Sequence, residues 1–199
     1  MTTYKLKTPI SETEIRKLKT NDVLYITGTI TTARDQAHKR ALEYAAQNKP
    51  LPINLEGSAI YHCGPIINKQ NGKWITIAAG PTTSTRIEPF EAEFIEKFKV
   101  RIIIGKGGMG EKTADAVAKY GAVYAAFTGG AAVLAAKAIK RVESVEWLDL
   151  GMPEAMWVFE VDAFGPLLVA IDSRGNNLFR DVAEKAAENR RRIYRKLEQ

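Results

Sequence analysis

"VRIIIGKGGMGEKTADAVAKYGAVYAAFTGG", residues Val100 to Gly130, decides the fold class of this 199-residue chain. A short apolar run, "VRIII", meets a glycine loop, "GKGGMG". A helical stretch, "EKTADAVAKYG", then leads to a second apolar run, "AVYAAF", and a tight turn, "TGG", before a further helix, "AAVLAAKAI". Strand, helix and strand in this order predict parallel strands joined by crossover helices, an α/β architecture.

Upstream, Ser11 and Glu14 form a capping box that starts a short helix, and "DVLYITGTI" reads as a strand. Ala33, Ala37, Ala41 and Ala45 then make an apolar stripe at helical spacing, closed by Pro50 and Pro52. "SAIYHCGPII" predicts a strand broken at Gly64-Pro65, and "INKQNGKWITIAAG" a hairpin turning at Asn71-Gly72. Phe90, Phe94 and Phe98 lie along one edge of a helix after Glu88. Beyond the alternating segment, "VESVEWLDL" and "MWVFEVDAFGPLLVAIDSRGN" read as two or three strands, the longer run broken at Gly165-Pro166, and a helix from about Leu178 ends the chain. The expectation is one domain spanning residues 1–199, with a mixed sheet.

Composition narrows the function classes. Hydrophobic residues make up 45% and charged ones 26%, as in ordinary globular proteins. The single Cys63 excludes an internal disulfide and any multi-cysteine metal site made by this chain alone, and suits a reducing, cytoplasmic setting. The polar start, "MTTYKLKTPISETE", lacks the apolar core of a signal, and no run is long enough to span a membrane. Of the net charge of +6, half sits after residue 179, where seven Lys or Arg face four Asp or Glu. That places the excess on a solvated or partner-facing helix, and no nucleic-acid signature accompanies it.

Three loops carry the candidate chemistry. "GKGGMGEKT" follows a strand and opens a helix, where backbone amides can face an anion, but Glu111 separates Gly110 from Lys112-Thr113 and spoils the P-loop pattern. Its G-x-G-x-x-G spacing is a weak dinucleotide signal, so the loop is read as holding Lys106 against a small anion, with Lys112 and Thr113 left on the helix surface. Arg34 stands at a strand-to-helix junction, with Asp35 as a candidate cap and His38 one turn on. "GPTTSTRIEPF", from Gly80 to Phe90, gathers Thr82, Thr83, Ser84, Thr85 and Arg86 at a helix start, where some hydroxyls serve as caps. Convergence of these strand ends would make a pocket of three cations without an evident carboxylate base, suited to a dianion.

"TARDxAH" at Thr32 to His38, "GPTTxxR" at Gly80 to Arg86 and "GKGGM" at Gly105 to Met109 resemble the β-subunit, or C-terminal domain, of class I iron–sulfur fumarate hydratases and the related L(+)-tartrate dehydratases. "YHCGP" and "FTGGAAVLAA" extend the similarity over nearly the whole chain. The resemblance implies a swivelling β/β/α domain that works with a cluster-binding α-subunit, as a heterodimer or heterotetramer. The [4Fe–4S] cluster and the catalytic acid would belong to that partner, and the cluster's open iron would act as a Lewis acid. Carried over by position, Thr82 becomes the catalytic base, and Arg34, Arg86 and Lys106 bind the dicarboxylate. His38 is a further candidate substrate contact, with packing on the helix face as its alternative. The leading expectation is a fumarate hydratase β-subunit interconverting (S)-malate and fumarate. The alternatives are an L(+)-tartrate dehydratase β-subunit and a non-catalytic anion-binding or assembly subunit, the last requiring Arg34, Thr82 and Lys106 to lie far apart.

Overall fold

In the computed structural model, which describes residues 1–197, the alternation after Val100 is present. The strands are β1 (Thr3–Lys7), β2 (Val23–Thr32), β3 (Ala59–Tyr61), β4 (Ile66–Gln70), β5 (Lys73–Ala78), β6 (Ile102–Gly105), β7 (Val123–Ala126), β8 (Ile139–Glu146) and β9 (Met156–Ile171). The helices are α1 (Glu12–Ile15), α2 (Asp35–Ala46), α3 (Glu88–Phe98), α4 (Glu111–Tyr120), α5 (Ala132–Ala138) and α6 (Leu178–Leu197). Seven strands form one mixed sheet in the order β1-β2-β3-β6-β7-β9-β8, with β4 and β5 as a separate hairpin.

The parallel part is β1, β2, β3, β6 and β7, as short buried runs joined by helices require. β9 then runs antiparallel to both β7 and β2, so β2, β3, β6, β7 and β9 close into a ring. Register shifts at Leu24/Ile26 and Ile26/Gly28 bend the β2–β9 ladder. Such bulges increase local twist and allow a sheet to curl. Side chains alternate across the closed sheet: Ile102 and Ile104 join one core with Leu24, Tyr61, Trp157 and Phe164, while Ile103 joins a second core with Ala37, Ala41, Phe94 and Val117 under the helices.

Two elements depart from the sequence reading. The polar N-terminus contains β1, an edge strand with only Leu6 buried, paired in parallel with β2. The expected break at Gly165-Pro166 does not end the strand; β9 runs through it for 16 residues. Pairing resumes on both sides, at Phe164 with Ile26 and Leu167 with Leu24, because the bulge absorbs the position where proline has no N–H to give. α6 begins at Leu178 as expected and has no buried residue. Among the described residues, no helix is long and apolar enough to cross a membrane.

Of the phenylalanine edge on α3, only Phe94 is fully buried, packed on Phe98 and the His38 ring. Phe94→Ala should lower the unfolding free energy by about 3–5 kcal/mol, the usual range for emptying an aromatic core position. Phe90→Ala, at a partly exposed position, should cost well under half as much by urea denaturation. Equal losses would contradict the assigned core.

Candidate active site

Two of the three loops extend parallel strands, and the third, which leaves the separate β4–β5 hairpin, is inserted between the continuations of β3 and β6. Tyr61 O accepts from Ala33 N at 3.0 Å, joining the end of β2 to β3. One residue on, His62 N donates to Ile104 O at 2.8 Å while His62 O accepts from Thr82 N at 2.6 Å. Lys106 N then donates to Thr82 O at 3.2 Å, and Ser84 N to Lys106 O at 3.0 Å, so the hydroxyl loop lies beside the glycine loop as an added strand. Gly105 is required here: a Cβ would collide with Ser84 Oγ. A 3₁₀ turn, Ser84–Arg86, then leads into α3.

This pairing places Thr82 and Lys106 side by side at the carboxyl ends of the strands. Arg34 and Arg86 are brought to each other by sharing a carboxylate: Asp35 Oδ2 lies 3.2 Å from an Arg86 nitrogen and 4.0 Å from an Arg34 nitrogen. Glu154 adds a second acid, 3.3 Å from Arg34, and its other oxygen accepts from Gln36 N at 2.9 Å, capping α2. The expectation of three cations without a carboxylate therefore needs correcting, since Asp35 and Glu154 offset the arginines in the free chain. Arg86 remains 56% exposed, and ion pairs at that exposure are worth little, so its contact with Asp35 is weak. Arg34 is held more firmly, 19% exposed and packed against Gly64.

The amino end of α4, where the sequence suggested an anion, is filled by the chain itself. Glu88 accepts from Gly110 N at 2.7 Å, Thr113 N at 3.2 Å and Thr113 Oγ1 at 2.7 Å. Glu88 satisfies the orphan amides of the first turn and complements its dipole, as an N-terminal cap does. Thr113 is accordingly buried rather than on the helix surface, and a phosphate would have to displace a bound carboxylate. Lys106 remains available to a ligand, its aliphatic stem running past Gly129.

Behind the loops lies a polar cluster that sequence reasoning missed. His38, His62, Ser84 and Glu91 are all fully buried. His62 approaches Glu91 at 2.9 Å through Nε2 and Ser84 Oγ at 3.0 Å through Nδ1, and Tyr124 Oη lies 3.0 Å from Ser84 Oγ. His38 does not face the open loops: its Nδ1 meets Arg34 O at 2.9 Å and its Nε2 lies 3.6 Å from Glu91. Burial pushes the His38 imidazole down to about 4, with Glu91 only partly offsetting it. Burial resists charge on Glu91 as well, but the neighbouring imidazoles outweigh it and hold the carboxyl below the usual carboxylate range. Of this layer the sequence singled out His38 and Ser84 within their loops and His62 only as part of "YHCGP"; Glu91 had no signal, because it sits on the helix that also carries Phe94.

Cys63 tests whether this chain could hold an iron–sulfur cluster. Its thiol is fully buried and burial pushes it strongly towards the neutral form, whereas a cluster needs several thiolates. As the chain's one cysteine, it does not fit that role.

Burial of neutral His38 has a consequence for stability. Between about pH 6.5, the ordinary imidazole value, and about 4, the unfolded chain binds a proton that the folded chain refuses. Unfolding free energy should therefore fall as pH drops through that window. Urea titrations across it should show a weaker pH dependence in His38→Gln; an identical slope would contradict the burial effect.

Comparison with known proteins joins these observations. The family model described as "Fumarase C-terminus" matches residues 1–182. The L(+)-tartrate dehydratase subunit beta of Escherichia coli (strain K12) is 45% identical over 185 residues, covering 93% of this chain and 90% of that protein. A Methanocaldococcus jannaschii protein named "Putative L(+)-tartrate dehydratase subunit beta" is 46% identical over 180 residues, 90% of this chain and 92% of its own length. A Geobacillus stearothermophilus protein named "Putative fumarate hydratase class I" is 45% identical over 184 residues, 92% of this chain but 35% of that longer protein. With the three motif loops meeting at one set of strand ends and the family model covering the same span, the chain belongs to the fumarase C-terminal family.

Proposed function

We propose that this chain is the β-subunit of a two-subunit hydro-lyase, a fumarate hydratase that interconverts (S)-malate and fumarate. The observation that carries this reading is Thr82, held by its backbone between His62 and Lys106, with Arg86, four residues on, meeting Arg34 at Asp35. A non-catalytic anion-binding or assembly role, which would leave these residues scattered, is disfavoured by that geometry. One second reading has specific support: the relatives of matching length carry the name of an L(+)-tartrate dehydratase subunit beta.

In the proposed reaction Thr82 Oγ1 takes the proton from the carbon next to a substrate carboxylate, and the neighbouring carbon loses its hydroxyl as water. A threonine hydroxyl is a poor base in water, so its alkoxide needs a cationic setting. Lys106, Arg86 and Arg34 supply that field. The arginines also bind the substrate carboxylates and stabilise the charge that develops as the proton leaves, commonly a large catalytic term. Asp35 keeps both guanidiniums aimed at one place until substrate arrives. In the hydration direction Thr82 returns the proton to carbon.

The cluster and the acid that protonates the leaving hydroxyl are assigned to an α-subunit, in keeping with the subunit names of the relatives and with the unsuitability of Cys63. Bound there, the cluster would supply a Lewis acid, while the residues of this chain hold the dicarboxylate and move the proton at carbon. The remaining features of this reading are a single swivelling β/β/α domain over residues 1–199, a cytoplasmic setting, and a heterodimer or heterotetramer.

In the reconstituted complex Thr82→Ala should lower kcat by orders of magnitude while assembly persists; near wild-type turnover would exclude Thr82 as the base. Arg34→Ala or Arg86→Ala should raise KM as well as slow turnover, by about 2–5 kcal/mol in kcat/KM if the contact is desolvated. An unchanged KM would remove the arginine concerned from substrate binding. Initial rates on malate, fumarate and L-tartrate, measured anaerobically with the partner present, decide between the two substrates. The chain alone should be colourless and inactive.

A further inference from the structure

The chain has two histidines, and both lie in the buried cluster with Glu91. Their protonation follows from counting hydrogen bonds. Arg34 O can only accept, so the single proton of neutral His38 is on Nδ1, and its Nε2 presents a lone pair towards Glu91. From His62 Nδ1 a row of three contacts runs to Ser84 Oγ at 3.0 Å, on to Tyr124 Oη at 3.0 Å, and ends at Gly107 O at 2.8 Å. Three contacts need three protons. Gly107 O has none, Ser84 and Tyr124 have one each, and the third must come from His62 Nδ1.

His62 Nε2 then lies 2.9 Å from an oxygen of Glu91, an ion-pair distance at which the ring N–H direction points well away from that oxygen, so the contact is a charge–charge one and not an aligned hydrogen bond. Without a proton it would set a lone pair against a buried carboxylate already facing that of His38. A buried carboxylate without a compensating charge is strongly unfavourable, so the pair holds one proton between its two partners, and with the imidazoles keeping Glu91 below the usual carboxylate range that proton belongs on His62. A divalent cation on the two Nε2 atoms and Glu91 is the alternative. Two ligands of a tetrahedral zinc ion at about 2.0–2.1 Å stand about 3.3 Å apart, wider than the 2.9 Å between His62 and Glu91, so the arrangement does not suit zinc, and elemental analysis tests for any other ion.

We propose that His62 is a buried imidazolium paired with the Glu91 carboxylate, and that this pair is the positioning device for Thr82. His62 grips the hydroxyl loop at two points that bracket Thr82 and Thr83: its carbonyl holds Thr82 N, and its Nδ1–H donates to Ser84 Oγ. Through Ser84 and Tyr124 the same charge reaches Gly107, so both loops that carry the proposed base and lysine hang from one ion pair. The groups facing His62 are Glu91 from α3, His38 from α2, Ser84 from the 3₁₀ turn and Tyr124 from β7. The positioning role rests on the hydro-lyase reading; the ion pair does not.

Full-length chain labelled with [15N]histidine gives signals from two residues only. At about pH 7.5, a unit above the ordinary imidazole value, one ring should be doubly protonated and the other neutral with its proton on Nδ1. Two neutral rings, or one equivalent of tightly held metal by elemental analysis, would overturn the proposal, and the wild-type spectrum is decisive even if no variant folds. In Glu91→Gln both rings should be neutral at that pH. In the assembled complex, the variant should lose about ten- to a hundredfold in kcat at that pH with little change in KM. Its turnover should recover only as pH falls below the ordinary imidazole range, because a buried ring without its carboxylate resists protonation, while wild type lacks this dependence, and Glu91→Asp should restore much of it. A pH-independent deficit in Glu91→Gln would reduce the pair to a packing element and sink the positioning role. A wild-type complex inactive on all three dicarboxylates would instead sink the hydro-lyase reading and leave the spectral result standing.

Discussion

The antiparallel contact of β9 with β2 is the constraint on which the rest of this molecule depends. Without it, β2, β3, β6 and β7 would be an open parallel sheet flanked by β1. With it, the sheet closes, and two cores form on its opposite faces. Closure gathers the carboxyl ends of β2, β3 and β6 at one rim, and the loops that follow them can share hydrogen bonds. The site is a consequence of that rim: Thr82 and Lys106 are neighbours because their loops continue the strand pairing beyond the sheet.

Charge is arranged around the rim in two layers. The outer layer holds Arg34, Arg86 and Lys106, with Asp35 and Glu154 keeping the arginines oriented and partly neutralised. The outer layer is thus not strongly cationic, and the half-exposed Arg86–Asp35 contact holds the arginine only weakly. The inner layer is dry. There Glu91 faces two imidazoles, and burial strengthens every interaction while making an unpaired group costly. The link between layers is short: His62 contributes its carbonyl to Thr82 and its ring to the buried cluster.

Much of this was legible in the residues. The strand–helix–strand rhythm after Val100, the hairpin at Asn71-Gly72 and the helix from Leu178 all follow from local period and turn chemistry. Thr82, Arg34, Arg86 and Lys106 stood out as candidates because hydroxyls and long cations at strand ends have few local reasons to be there. β1 was obscured because an edge strand buries so little, and the continuity of β9 because a glycine-proline pair signals a break unless a bulge on the partner strand accommodates it. His38 read as a helix-face residue near a pocket; the structure turns it inward, beneath Arg34.

Local periodicity and loop composition were thus enough for the α/β class, the order of elements and the residues with chemistry to offer. Ring closure, the sharing of Asp35 by two arginines, the capping of α4 by Glu88 and the Glu91–His62–Ser84–Tyr124 row were decided only by the tertiary structure. Each of these joins residues distant in the chain, and a carboxylate or histidine carries no local mark of the partner it will meet once water has been excluded between them.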